Sequence, residues 1–148
     1  MYRIELYQAD KQTQVYDFFE KCLPESNRKF NLQEQHKIYM DIETNFEKFW
    51  CMFDDDILIG TAALRSIRNS DCELKGLYLY QSYQGNKLGY NLITTVIDYA
   101  RKNHYHRMFL DTISTSENAL RLYEKIGFYY TERYNNNLNA DIFMVLQL

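Results

Sequence analysis

The chain has 148 residues, 46% hydrophobic and 25% charged, with a formal net charge of -3. This length fits a single domain over residues 1–148, and this balance excludes a disordered chain. The charge is small and no basic run of five or six residues occurs, so no electrostatic footprint for nucleic acid exists and no nucleic-acid partner is expected.

In chain order, Tyr2 to Tyr7 sets Ile4 and Leu6 against Arg3 and Glu5, the alternation of a strand. Asp10 is placed to cap a helix from about Lys11 to Cys22, with Val15, Phe18, Phe19 and Cys22 on one side. Pro24, Ser26 and Asn27 mark a break. Asn31 followed by Glu34 has the spacing of a capping pair and predicts a second helix through Asn45, though its apolar face (His36, Tyr39, Met40, Ile42) is loose. Three strands follow: Phe49 to Phe53, Ile57 to Leu64 and Cys72 to Leu79. Asp54-Asp55-Asp56 and Arg68-Asn69-Ser70-Asp71 supply the turns between them.

From Leu88 the period becomes helical, with Leu88, Leu92, Ile93, Val96, Ile97 and Ala100 forming one apolar stripe. Arg107 to Leu110 reads as a short buried strand. Ser114 and Glu117 have capping-box spacing for a helix carrying Ala119, Leu122, Tyr123 and Ile126, which Gly127 ends. Strands from Phe128 to Tyr134 and Asp141 to Leu146 flank the polar loop Asn135 to Asn139. The order β-α-α-β-β-β-α-β-α-β-β predicts a mixed α/β sheet.

Cys22, Cys51 and Cys72 form neither a CxxC pair nor a disulfide framework, which points to buried thiols and a cytoplasmic location. Arg3 and Glu5 are followed by no apolar segment of the signal-peptide kind, and the apolar stretch Ile57 to Leu64 is too short to cross a bilayer. A soluble protein without membrane association is expected. The aspartate triplet and His104-x-His106 read as solvated turns, and no metal site is expected.

The segment richest in chemistry runs from Leu77-Tyr78-Leu79 to Gln84-Gly85-Asn86-Lys87-Leu88-Gly89. A strand ends, a polar loop with two glycines follows, and an amphipathic helix starts at once. Free N–H groups and the positive end of the helix dipole converge there, which suits an anion. Gly85 and Gly89 allow close backbone approach, and Lys87 adds charge. The loop lacks the GxxxxGK[ST] and GxGxxG patterns, and a glycine turn that merely packs helix on strand is the alternative.

Glu73-Leu74-Lys75-Gly76-Leu77-Tyr78-Leu79, Tyr83 to Gly89, Leu110-Asp111-Thr112 and Ala119-Leu120-Arg121-Leu122-Tyr123-Glu124-Lys125-Ile126-Gly127-Phe128 follow in order. Together they resemble the GNAT superfamily of N-acetyltransferases from Cys72 to Leu148. That resemblance implies a mostly antiparallel twisted sheet of about seven strands flanked by about four helices. It implies acetyl-CoA as cosubstrate and acetyl transfer to a primary amine, small-molecule or peptide, in a ternary complex.

The family's pyrophosphate loop, (Gln/Arg)-x-x-Gly-x-(Gly/Ala), falls on Gln84, Gly85, Asn86, Lys87, Leu88 and Gly89, with Tyr90 next. Lys87 stands where the family has its middle glycine. Leu77, Tyr78 and Leu79 correspond to the strand that pairs with the pantetheine arm, a form of β-augmentation. Ser116 and Asn118 both lie near the family's polar contact to the sulfur end. Gly76 departs from the arginine that relatives often carry there.

Acetyl transfer from a thioester needs a neutral amine, a polarised carbonyl and a proton for the leaving thiolate. Tyr123 matches the family tyrosine that protonates the thiolate; without that match it reads as a core tyrosine. Glu73 matches a glutamate that activates the amine directly or through water in some members, and would need a pKa raised by burial. The alternative for Glu73 is a strand carboxylate paired across the sheet. The backbone N–H of Leu79 is expected to polarise the thioester oxygen. A non-catalytic acyl-CoA-binding module that kept the loop is the competing function. The last strands offer an edge for a homodimer, which nothing in the sequence demands.

Overall fold

A computed structural model describes residues 1–148. Strands β1 (Tyr2–Leu6), β2 (Lys48–Asp54), β3 (Ile57–Arg68), β4 (Asp71–Leu79), β5 (Arg107–Thr112), β6 (Tyr129–Tyr130) and β7 (Ile142–Gln147) form one sheet in the order β1-β2-β3-β4-β5-β7-β6. Every neighbouring pair is antiparallel except β4 and β5, which run parallel. Helices α1 (Gln12–Cys22), α2 (Ile42–Asn45), α3 (Leu88–Lys102) and α4 (Glu117–Ile126) flank it. The expected architecture is therefore present.

Period-two alternation in the central strands explains the two-sided packing. Along β2, Phe49, Cys51 and Phe53 point into a cluster with Val15, Phe18 and Phe19 of α1. Trp50 and Met52 point the other way, against Leu92, Ile93 and Val96 of α3. A fully buried side chain of this size stabilises by roughly 1.5–3 kcal/mol, so both faces of the sheet are held firmly. All three cysteines lie in this interior as free thiols, and burial pushes each pKa up to about 12, which leaves them unreactive. No helix is long and apolar enough to cross a membrane.

Four local expectations are corrected. The helix from Asn31 to Asn45 is instead a run of turns, a 3₁₀ segment at Lys37–Asp41 and the single turn α2. Asn31 does meet Glu34 through its side chain, but its N–H donates to His36 Nδ1 at 2.8 Å and its Oδ1 accepts from Gln33 N. Those bonds satisfy a turn and leave no ladder to propagate. Asp10 does not cap α1: it lies in a 3₁₀ turn that leads into the helix, whose N-cap is Lys11. Ser114 does not cap α4, because both its N–H and its hydroxyl donate to the Asp141 carboxylate at 2.8 Å. The strand expected over Phe128 to Tyr134 is formed only at Tyr129–Tyr130; Thr131 N–H adds one bond to Phe143 O, and Tyr134 then turns inward, tilted against Phe109 and edge-on to Phe143.

Candidate active site

β4 and β5 pair only at Asp71, Cys72 and Glu73 against Arg107, Met108 and Phe109. Beyond Glu73 the two strands diverge, and the β5-facing edge of β4 from Leu74 to Leu79 has no strand partner. A bulge accompanies the divergence: Thr61 lies opposite Tyr78 while Ala63 lies opposite Lys75. Gly76 sits in it at φ +60, its carbonyl accepting from the Thr61 hydroxyl at 2.7 Å. A Cβ there would stand 3.0 Å from the Tyr39 hydroxyl, so both conformation and space call for glycine.

At the open end of β4, Tyr80 N–H donates to Ile59 O on β3. Leu79, one residue out of phase, turns its N–H and C=O toward the opening, and the Gln84 side chain reaches that carbonyl at 3.5 Å. Gly85 adopts φ +91 and its missing Cβ would meet nothing within 4 Å. Lys87, the N-cap of α3, adopts φ +62. A lysine here thus holds the left-handed backbone that the family's middle glycine would adopt without strain. Asn91 N–H is the first to bond back into α3, to Lys87 O at 3.0 Å. The N–H groups of Leu88, Gly89 and Tyr90 are consequently free at the helix end. Asn118 Nδ2 donates to Gln84 Oε1 at 3.2 Å, tying this loop to α4.

The divergence opens into a cleft of about 740 Å³ between β4, β5, the start of α4, the segment around Arg28 and the loop Asn136 to Ala140. Tyr123 lines it and is 6% exposed. Burial pushes its phenol well above the ordinary range, so it is protonated at every physiological pH. Leu77, Tyr78 and Ser116 also line the cleft, while Gln84 to Tyr90 lie outside it, around the helix end. Ser116 Oγ accepts from Arg28 Nη2 at 2.9 Å, whereas Asn118 faces the loop.

Glu73 is fully buried at the base of the divergence and is not part of the cleft wall. One carboxylate oxygen accepts from Arg65 Nε at 2.7 Å. The other accepts from the Tyr134 hydroxyl and from Asn135 Nδ2 at 3.1 Å, with Lys75 Nζ at 3.8 Å. Asn135 also donates to Asp111 at 2.6 Å, and Lys75 pairs with Asp111 at 3.1 Å. Burial pushes the Asp111 pKa up, but the Lys75 charge and donors from Asn135, Lys75 and Asn137 outweigh it and hold the carboxyl below its usual range. His36, also on the cleft wall, is pushed down to about 4 by burial and by the nearby Arg28 charge. Its ring is neutral at pH 7.

Sequence reasoning missed Arg28, Arg65, Tyr134 and Asn135 as parts of this site. The available signal was the alternation of β4: Glu73 and Lys75 put two charges on one face of a strand that otherwise reads as buried.

Residues 12–128 match the model of the acetyltransferase (GNAT) family. An uncharacterised N-acetyltransferase of Schizosaccharomyces pombe is 44% identical over 66 residues, which take in 45% of this chain and 40% of the yeast protein. The match therefore spans less than half that relative's length. An acetyltransferase of the GNAT family from Staphylococcus aureus shares the fold with a TM-score of 0.89 at 21% identity, over 99% of both chains. A Salmonella typhimurium protein solved with its cofactor acetyl-CoA has a TM-score of 0.73 at 18% identity, over 99% of this chain and 93% of that one.

Proposed function

Since the chain belongs to the GNAT acetyltransferase family, we propose that it transfers the acetyl group of acetyl-CoA directly to an amine bound beside it in the cleft. The observation that carries this reading is the unpaired edge of β4 running from the loop at Gly85 to the buried hydroxyl of Tyr123. The Salmonella typhimurium neighbour, of the same fold, holds acetyl-CoA. In this reading the pyrophosphate sits on the free N–H groups of Leu88, Gly89 and Tyr90, with Gln84, Gly85, Asn86 and Lys87 around it. The pantetheine arm lies along Leu77, Tyr78 and Leu79 as an added strand, between β4 and Ser116 and Asn118 at the start of α4.

The amine nitrogen attacks the thioester carbon while the Leu79 N–H, turned toward the opening, stabilises the oxyanion. The C–S bond then breaks, and the thiolate takes its proton from Tyr123, which regains one from water. Burial keeps Tyr123 protonated at any working pH, and because the same shift makes it a weak acid, reprotonation from water is what draws the transfer forward.

Glu73 serves this chemistry as a positioning residue. Both of its oxygens are occupied by donors, so it fixes Lys75 on the cleft wall and Tyr134 and Asn135 beneath it, and the amine releases its proton to water. No histidine, carboxylate or tyrosine on the cleft wall whose pKa is displaced is displaced toward neutrality. The test is free-thiol release from acetyl-CoA with a panel of amines. Amine-dependent release supports transfer; acetyl-CoA binding without thiol release would mean a binding module instead.

A further inference from the structure

Four cationic side chains line the cleft: Arg28, Lys29, Arg65 and Lys75. Arg65 is neutralised by Glu73 at 2.7 Å and Lys75 by Asp111 at 3.1 Å. Arg28 has no carboxylate within ion-pair distance. Its guanidinium donates only to hydroxyls: Ser116 at 2.9 Å, Thr112 at 3.4 Å and Ser26 at 3.4 Å. It lies 5.8 Å from the centre of the Tyr78 ring. These bonds engage one Nη1–H and both Nη2–H groups, two of them at 3.4 Å, and leave Nε–H and the second Nη1–H for a planar anion.

A half-buried guanidinium without a counter-charge is costly, and a ligand carboxylate is the group that matches it in charge and shape. The pyrophosphate of the cosubstrate is assigned to the loop at Gly85, none of whose residues lines the cleft. A polycationic acceptor would meet Arg28 and Lys29 while the one carboxylate on the wall, Asp111, is already paired. The cleft must also hold the thioester arm, so only part of its 740 Å³ is left for the acceptor's amine end and the group beside it.

Resting on the acetyl-transfer reading, we infer that Arg28 is the counter-ion for a carboxylate on the acceptor, and that the acceptor is a small amino-acid-type molecule carrying amine and carboxylate together. Arg28 sets specificity, and the hydroxyls of Ser116 and Thr112 hold its guanidinium toward the site until the carboxylate arrives.

The experiment compares α-amino acids with their own primary amides in the thiol-release assay. The amide has the less basic amine, which favours it at neutral pH, so a preference for the acid reports charge recognition. The best acid is expected to exceed its amide by about 10- to 100-fold in kcat/KM, the range of one charge-assisted contact. Arg28→Met is expected to erase that preference through KM, and Arg28→Lys to restore part of it. Acetyl-CoA affinity by calorimetry should stay within about twofold in Arg28→Met. Wild-type transfer that ignores the carboxylate overturns this inference alone. An Arg28→Met variant that loses acetyl-CoA affinity while keeping the acid preference also overturns it. No transfer to any amine overturns the acetyl-transfer reading together with it.

Discussion

Arg65 stands directly opposite Glu73 on the β3–β4 ladder, and their 2.7 Å contact joins a half-exposed guanidinium to a carboxylate with no exposure at all. This pair anchors the chain of contacts that runs through Tyr134, Asn135, Lys75 and Asp111 to the cleft floor.

Glu73→Gln removes the charge that Arg65 and Lys75 share. A wholly buried pair broken on one side costs about 3–5 kcal/mol; with Arg65 35% exposed, the expected loss is about 2–3 kcal/mol. Denaturant unfolding reads it. A variant as stable as the wild type would show that the network does not hold the cleft floor.

Tyr123→Phe keeps the ring packed on Phe128 and removes only the hydroxyl. The expected result is a kcat lower by about 100-fold or more with acetyl-CoA affinity nearly unchanged. Because burial raises the Tyr123 pKa above its ordinary value, wild-type activity should show no loss from its ionisation below about pH 10. A kcat unchanged in the variant would return Tyr123 to a purely structural role.

His36 links folding to pH. Its pKa is about 4 in the folded chain against 6.5 when free, so the unfolded state binds the extra proton between those values. Stability from this group is therefore fully present above pH 6.5 and is lost as pH falls toward 4, by roughly 2–3 kcal/mol. His36→Gln should flatten the stability curve over that window. An unchanged slope would mean that His36 is solvated.

The sheet was legible because its signal is local. Phe49 to Phe53 alternates residue by residue, and both faces are buried as that alternation requires. The helix stripe from Leu88 to Ala100 is equally clear. The segment from Asn31 to Asn45 misled because Asn31 and Glu34 meet in a turn as readily as in a capping box; its loose apolar face was the better guide.

The loop at Gly85 was readable from its glycines, and Lys87, where the family pattern has glycine, takes a positive φ that its residue type does not announce. The polar network was not readable, because its bonds join residues far apart in the chain: Asn135 to Glu73 spans 62 positions and Arg28 to Ser116 spans 88. Periodicity carries no information over such distances. A charge on a strand that reads as buried announces that partners exist without naming them.

Calorimetric titration of acetyl-CoA into the wild type, Gly85→Asn and Gly85→Asp asks at once whether the cofactor binds and whether its pyrophosphate lies at Gly85. Both variants force a side chain into φ +91, and neither Cβ meets an obstacle within 4 Å, so they share the same strain and differ in charge. Saturable wild-type binding is expected, retained in large part by Gly85→Asn and weakened at least about tenfold further in Gly85→Asp, where a carboxylate would face the pyrophosphate. Equal binding by the two variants would contradict the placement of the pyrophosphate, and no wild-type binding would contradict acetyl-CoA as the cosubstrate.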